Sequence, residues 1–182
     1  MEEGPCDPPV NTRWYEDPDR ADHPVVYVRY TQAVTYCLWL SQETGQPIGL
    51  PTEAQWEYAG RSGLRDGDFP WGREELRAGR YQANYRQGEF PQAARAPDGF
   101  DYLAPVGSYP ASQYGLYDLS GNVWEWCASR FSEDTASDDS NESRVVRGGS
   151  WLDVADFETG FEIERSAEGG AFQAVGEVDR DM

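Results

Sequence analysis

The stretch YGLYDLSGNVWEWC, residues 114–127, is the most informative part of the sequence. Its first half contains Gly115, Asp118, Ser120 and Gly121, residue types that are typical of turns. Its second half, NVWEWC at 122–127, predicts a β-strand with Val123, Glu125 and Cys127 on one face. The two tryptophans beside Glu125 indicate that its carboxylate is buried, and a buried carboxylate needs a partner.

A polar, acidic loop at 132–143 follows and leads into RVVRGGSW, residues 144–151. The two valines predict a second strand, and the two glycines predict a tight turn with positive φ. The alternative for Arg147 and the glycines is an anion-binding turn, in which backbone amides converge on a ligand. The tight turn is favoured, because no second basic residue lies next to the glycines.

Regular elements are also predicted near the start of the chain. VVYVRY at 25–30 has the composition of a short strand. Apolar residues at spacings of three and four then predict an amphipathic helix over 31–43. Thr31 is its expected N-cap, and Gly45 is expected to end it.

A second helix is predicted over 52–60, where Thr52 and Gln55 have the spacing of a capping box and Gly60 follows as a stop. The next sixty residues, 61–120, show little periodicity, with glycines and prolines between aromatic residues. A compact domain seldom contains so long a stretch without regular elements. Bound hard cations, which use backbone carbonyls and carboxylates, are the candidate for stabilising it.

Composition limits the class of protein. The 182 residues fit a single domain, assigned to 23–182 after an irregular lead-in at 1–22. Mean hydropathy is low, at −0.76, but aromatic residues make up 14% of the chain, which indicates a folded, loop-rich domain. The net charge of −18 argues against nucleic acid and anionic membranes as partners. There is no stretch long enough for a membrane span and no visible signal peptide, and the compartment stays open.

The cysteines and the histidine narrow the chemistry further. Cys6, Cys37 and Cys127 have no zinc-like spacing, and the lone His23 cannot supply a site that needs two imidazoles. One disulfide with a free thiol and three buried thiols both remain open, and the second is favoured. Cys127, on a strand with two tryptophans, is expected to be buried and inert.

Nine motifs occur in an order that resembles the formylglycine-generating enzyme family, also called the sulfatase-modifying factor family. They are HPVVYV (23–28), AVTYCLWLS (33–41), LPTEAQWEYAGRSG (50–63), FPWG (69–72), ANYRQGEFP (83–91), DGF (98–100), APVGSYP (104–110), YGLYDLSGNVWEWC (114–127) and RVVRGGSW (144–151). The resemblance implies an α+β, C-type-lectin-like fold with two short helices and irregular antiparallel strands.

The resemblance also implies two structural Ca²⁺ sites built from side-chain and backbone oxygens. The first set is the Asn84 side chain, the Tyr85 carbonyl, the Asp98 carboxylate and the Phe100 carbonyl. The second set is Asp118, the carbonyls of Leu119, Gly121 and Val123, and Glu125. The alternative is that these residues only cap turns, as Asp and Asn commonly do. For Glu125, the open alternatives are a cation or Arg147 as partner.

The sequence differs from the family at the positions that carry the family's catalytic residues. Active members oxidise a substrate cysteine to formylglycine with a pair of cysteines that bind copper(I), and these positions fall here on Asp153 and Glu158. Carboxylates do not replace the thiolates that copper(I) selects, so no copper is expected. The iron site of ergothioneine-forming relatives needs more than one histidine. Residues 152–182 are acidic, unlike the arginine-rich end of the family.

Two functions follow. The first is a non-catalytic domain that binds a protein or a small, basic ligand, of the kind diversified by retroelements. Its expected ligand face is Leu152, Asp153, Val154, Asp156, Phe157, Glu158, Phe161 and Glu162. The second is a formylglycine-generating oxidase acting on sulfatases or another protein, against which the missing cysteines argue. A third, weaker interpretation is a gene product with a shifted tail and no selected function. The oligomeric state stays open.

Overall fold

The computed structural model describes residues 17–65, 67, 69–87, 97–130 and 144–153, and the backbone of 165–166. Its regular elements are a 3₁₀ turn at Pro18–Arg20, helices α1 (Tyr30–Thr44) and α2 (Glu53–Gly60), and strands β1 (Glu125–Arg130), β2 (Arg144–Arg147) and β3 (Arg165–Ser166). The architecture is therefore α+β with sparse regular structure, as expected. Within the described residues, no helix is long and apolar enough to cross a membrane.

Helix α1 begins one residue earlier than predicted, and its N-cap differs. Arg29 is the N-cap, and its backbone N–H donates to Oε1 of Gln32 at 2.9 Å. The prediction of Thr31 as N-cap was wrong, because Thr31 lies inside the first turn of the helix. The predicted stop is confirmed: Gly45 has φ +66° and its N–H donates to the Ser41 carbonyl at 2.9 Å.

The predicted strand at 25–30 was wrong. No strand forms there, and Tyr27 has φ +61°, which interrupts an extended pleat. The Val28 carbonyl accepts from the indole Nε1 of Trp126 at 2.9 Å instead of joining a ladder. A side chain 98 residues away thus satisfies this backbone group and holds the segment irregular.

Helix α2 forms as the capping box predicts. Thr52 Oγ1 accepts from Gln55 N at 3.2 Å, and Gln55 Oε1 accepts from Thr52 N at 2.8 Å. The helix places the Trp56 side chain in the core, where only 2% of the residue is exposed. Trp56 packs in a cluster with Leu119, Cys127 and Val145. This cluster joins α2 to both long strands.

The sheet has the order β1-β2-β3 with antiparallel pairing throughout. In its first ladder Glu125 pairs with Arg147, and the register shifts by a bulge before Arg130 meets Arg144. β1 begins at Glu125, so the predicted strand at 122–127 starts three residues too early. The reason is long-range: Asn122 N donates to the Asn84 carbonyl at 2.7 Å, which keeps residue 122 out of the ladder. β2 and its glycine turn are confirmed.

The described part of 61–120 carries isolated bridges in place of long elements, as predicted. One bridge joins Asn84 to Gly121 in parallel orientation, and the Gly121 N–H donates to the Gly148 carbonyl at 2.7 Å. Gly121 has φ +72°, and a Cβ at this position would overlap the Asn84 carbonyl. Glycine is therefore required where the loop crosses the end of the sheet.

Candidate functional site

Two buried asparagines hold together the loops that carry the predicted cation ligands. Asn84 and Asn122 are each 2% exposed. Asn84 Nδ2 donates to the Tyr102 carbonyl at 2.8 Å and to Asn122 Oδ1 at 3.0 Å, and Asn122 Oδ1 also accepts from Ala104 N at 3.0 Å. Asn122 was not among the predicted site residues, although it follows Gly121 and is the first residue of the predicted strand.

Asp118 lies in the left-handed region, at φ +55°. Its Oδ2 accepts from the Gly107 N–H at 2.8 Å. Its Oδ1 is buried and has no hydrogen-bond partner among the described residues. A buried carboxylate oxygen without a partner costs free energy, so this atom is the clearest indication of a missing ligand.

Glu125 has a partner that neither open alternative anticipated. Its Oε2 accepts from the indole Nε1 of Trp56 at 2.6 Å. Burial raises the pKa of Glu125, the indole hydrogen bond lowers it and the nearby Asp118 carboxylate raises it, and together these effects bring it to about 7. Arg147 pairs with helix α2 instead, through Glu57 and, at 3.7 Å, through Glu53.

Backbone oxygens of the second predicted set converge beside Gly148. The position that a Cβ of Gly148 would take lies 3.7 Å from the Val123 carbonyl and 3.9 Å from the Leu119 carbonyl. The charge of Asp118 contributes to the raised pKa of Glu125, so the two carboxylates lie close enough to interact. No group of three His, Cys, Asp or Glu side chains forms among the described residues. A cation here would therefore depend on backbone carbonyls as well as carboxylates.

The first predicted set has a different arrangement. The side-chain nitrogen of Gln87 donates to the Tyr85 carbonyl and, at 3.0 Å, to Asp98 Oδ2. Asp98 Oδ1 accepts from Phe100 N at 3.1 Å, which closes a turn. Tyr85 O and Asp98 are thus brought together around one point, but a hydrogen-bond donor lies between them. Burial, followed by the charge of Asp98, raises the pKa of the neighbouring Tyr109 hydroxyl.

Asp153, at the position that the resemblance assigns to a copper-binding cysteine, is engaged in a turn. Its Oδ2 accepts from both the N–H and the Oγ–H of Ser150, each at 2.6 Å. Its carbonyl accepts from Arg86 N at 2.9 Å, and Leu152 N donates to Ser150 Oγ at 3.3 Å. The rest of the expected ligand face lies outside the described residues: Val154, Asp156, Phe157, Glu158, Phe161 and Glu162.

The tight-turn interpretation of the glycines after β2 is confirmed. Gly148 has φ +100° and Gly149 has φ +75°, values that favour glycine. The Arg147 guanidinium is directed at α2, where it pairs with Glu57 and lies 5.3 Å from the centre of the Trp56 ring. The positive charge of Arg147 is therefore paired with glutamates of α2.

The thiols of Cys37 and Cys127 are both free, and Cys6 lies outside the described residues. Cys127 is fully buried, and burial raises the pKa of its thiol to about 11. The prediction that Cys127 is buried is confirmed. A thiol in this state stays protonated at neutral pH and is a weak nucleophile and metal ligand.

Solved structures share this fold. PvdO from Pseudomonas aeruginosa superposes with a TM-score of 0.63 and 28% identity, covering 81% of this chain and 57% of PvdO. Treponema denticola variable protein 1 superposes with a TM-score of 0.60 and 24% identity, covering 81% of this chain and 67% of that protein. The second likeness shows the fold alone.

Curated relatives carry two kinds of name. The formylglycine-generating enzyme of Bos taurus is 39% identical over 156 residues, covering 79% of this chain and 40% of that protein. That of Thermomonospora curvata is 40% identical over 146 residues, covering 74% and 46%. The inactive C-alpha-formylglycine-generating enzyme 2 of Bos taurus is 42% identical over 139 residues, covering 76% and 42%. This chain thus spans less than half the length of these relatives.

The family profile described as "Sulfatase-modifying factor enzyme 1-like domain" matches residues 3–176, nearly the whole chain. The motifs that carry the resemblance lie within this range, and both long strands and both helices are built from them. The chain therefore belongs to the formylglycine-generating enzyme, or sulfatase-modifying factor, family.

Proposed function

We propose that this chain is a non-catalytic binding member of its family. The observation that carries the proposal is the Asp153 carboxylate, which takes the place of a copper-binding cysteine and accepts two hydrogen bonds from Ser150. Copper(I) selects soft thiolate ligands, and an aspartate engaged in a turn offers none. The residues present at this position do not fit a copper ion.

Cys127, a thiol in the described part of the chain, gives no substitute. Cys127 is fully buried, and its pKa of about 11 keeps it protonated. Cys37 lies in helix α1, and its thiol is free. The inactive C-alpha-formylglycine-generating enzyme 2 of Bos taurus, as similar as the active relatives, supports a member of this fold without the activity.

A peptide oxidation assay tests this proposal. A peptide with the sulfatase Cys-x-Pro-x-Arg motif is incubated with the protein, copper(I) and oxygen, and the aldehyde is measured by mass spectrometry. The Thermomonospora curvata enzyme is the positive control, and copper alone is the negative control. We expect no aldehyde above the copper-only rate. Aldehyde formed faster than that rate would overturn the proposal and favour the oxidase.

We further propose that Ca²⁺ binds at the second predicted set, between Asp118, Glu125 and the carbonyls of Leu119 and Val123. The unpartnered Oδ1 of Asp118 and the convergence of the carbonyls beside Gly148 support it. Oxygen-only ligation that mixes carboxylates with backbone carbonyls is what Ca²⁺ prefers. The ion would neutralise two carboxylates that the fold places near each other.

Thermal melts with CaCl₂ and with EDTA test the calcium proposal. A ligand that binds only the folded state raises the melting temperature by mass action. We expect Ca²⁺ to raise the melting temperature of the wild type, and Asp118→Asn to remove the rise. The exposed Asp101, outside both predicted sets, gives the control Asp101→Asn, which should keep it. Identical melts in CaCl₂ and EDTA would contradict the proposal.

The binding partner is proposed to be a protein or small ligand with basic character, contacted through the segment after Trp151. The support is the composition of that segment, which mixes phenylalanines with acidic side chains. Attraction to a basic partner would weaken as salt is added. Phe157→Ala with Phe161→Ala should weaken binding more than neutralising acids in the 133–142 loop. Unchanged affinity with lost stability would show that these rings belong to the core.

A further inference from the structure

A cleft of about 260 Å³ lies beside the proposed calcium site and shares Asp118 and Leu119 with it. Its walls come from the turn that follows α2, the loop around 70–83 and the loop around 110–120. It shares no residue with the Ser150–Asp153 turn. Ligand pockets usually range from roughly 300 to 1,000 Å³, so this cleft has room for one small ring and little more.

The two sides of the cleft are fixed to each other by hydrogen bonds. Gln113 N donates to Ser62 Oγ at 3.1 Å, which ties the 110–116 loop to the end of α2. The loop is itself closed by Ser112 N, which donates to the Leu116 carbonyl at 2.7 Å. Gly63 has φ +72°, a value that favours glycine, and the Gln113 side-chain amide packs closely against it. The cleft is therefore preformed.

Trp71 supplies a rigid aromatic wall. Its ring stacks on Phe69, with centroids 4.8 Å apart and planes at 12°. Its Nε1 donates to the Glu74 carbonyl at 2.9 Å, and Phe69 is buried beneath it. An indole that is fixed before a ligand arrives loses little conformational entropy on binding. Such a surface suits the apolar face of a ring.

The polar groups around Trp71 are planar and electrically balanced. Among the described residues that line the cleft, Arg77 and Asp118 are charged, and in the calcium-free protein their charges cancel. Gln82 and Gln113 add side-chain amides, and the Gln82 amide is held by the carbonyls of Arg80 and Tyr81 at 2.9 and 3.1 Å. In a chain of net charge −18, this balance favours a neutral ligand.

The cleft thus offers donors and acceptors side by side. Arg77 can only donate, the Asp118 carboxylate can only accept, and the amides do both. A vicinal pair of hydroxyls has matching capacity, because each hydroxyl donates one hydrogen bond and accepts others. We propose that this cleft binds one neutral sugar residue, with the ring against Trp71 and its hydroxyls on Arg77 and Gln113. The proposal is independent of whether the chain has oxidase activity.

Saturation-transfer NMR on the full chain, in EDTA so that Asp118 carries no calcium, tests the proposal. The probes are the methyl glycosides of glucose, galactose and mannose, with glucuronate as a charged comparison. We expect transfer to the ring protons of at least one neutral glycoside, and weaker transfer to glucuronate. Stacking on an indole is worth enough that Trp71→Ala should weaken binding about tenfold.

Matched variants keep the test independent of folding. Arg77→Ala and Gln113→Ala should each reduce the transfer, whereas Arg80→Ala and Trp39→Ala, which alter exposed residues outside the cleft, should not. The melting temperature of each variant confirms that it is folded. The proposal is overturned if no neutral glycoside shows transfer, if Arg77→Ala and Gln113→Ala leave it unchanged, or if glucuronate binds more strongly. The peptide oxidation result would not change in any of these cases.

Discussion

Trp56 Nε1 donates to Glu125 Oε2 at 2.6 Å, across 69 residues of sequence. This bond joins the centre of α2 to the first residue of β1. It gives a buried carboxylate one good donor at the point where the core meets the proposed calcium site. The indole also lies 5.3 Å beneath the Arg147 guanidinium, so one side chain contacts both an acidic and a basic group.

Trp56→Phe keeps most of the ring volume and removes the donor to Glu125. A buried carboxylate left without its partner costs about 1–3 kcal/mol of unfolding free energy. Urea denaturation should show this loss. Trp39→Phe is the control, because Trp39 is 51% exposed and its substitution should change stability by less than about 0.5 kcal/mol. Equal effects of the two substitutions would contradict the role of the hydrogen bond.

The pKa of Glu125 predicts how the metal-free protein responds to pH. Burial raises this pKa from the ordinary 4.5 to about 7, so the folded state favours the protonated carboxyl. The contribution of Glu125 to stability is therefore complete below pH 4.5 and is lost as pH rises through about 7. The full loss is about 3 kcal/mol.

Urea denaturation in EDTA between pH 4.5 and 8 measures this response. Glu125→Gln, a neutral isostere, isolates the contribution of one group from those of the other acids. The difference in unfolding free energy between wild type and variant should decline across this range. A constant difference would show that the folded pKa of Glu125 is close to its ordinary value.

Gly121→Ala should be among the most destabilising substitutions. The position has φ +72°, and the added Cβ would overlap the Asn84 carbonyl. Gly115→Ala is a matched control, with φ +76° and open space around its Cβ. Positive φ alone costs an alanine about 1–2 kcal/mol. We expect thermal melts to show a clearly larger loss for Gly121→Ala, and equal losses would show that the loop can move aside.

Two arginines on Glu57 provide a comparison of buried and exposed ion pairs. The Arg147 side chain is 8% exposed, whereas the Arg61 side chain is 61% exposed and lies 2.7 Å from Glu57 Oε1. Arg147→Gln should cost about 3 kcal/mol, because it leaves carboxylates and an aromatic face without their cation. Arg61→Gln should cost less than about 1 kcal/mol and less still in high salt. Chemical denaturation at two salt concentrations would show equal losses if burial had no influence.

Sequence patterns predicted the elements whose signals are local. The capping box of α2 and the glycine end of α1 depend on residues within four positions of each other, and both are confirmed. The strand predicted at 25–30 does not form, because the Val28 carbonyl accepts a hydrogen bond from the indole of Trp126, which lies far along the chain. β1 starts late for the same kind of reason, since Asn122 pairs with Asn84 across 38 residues.

The candidate calcium ligands were predicted from the family resemblance, and the fold brings some of them close together. The carbonyls of Leu119 and Val123 lie beside Gly148, and the Asp118 carboxylate raises the pKa of Glu125. The Trp56 partner of Glu125 was missed, because an indole in one helix carries no local sign of a carboxylate in a distant strand. Gln87, between Tyr85 and Asp98, was missed because spacing does not show where an amide side chain will lie.

The reliance of this fold on loop-to-loop hydrogen bonds has a consequence for amide exchange with solvent. Amides that resist exchange usually belong to the interior of helices and strands, where opening requires the whole element to unfold. Here the N–H groups of Gly121, Asn122 and Ala104 bind buried oxygens although all three residues lie outside the ladders. The slowest-exchanging amides should therefore include this crossing of irregular segments, and the last part of the protein to open under native conditions should include its loops.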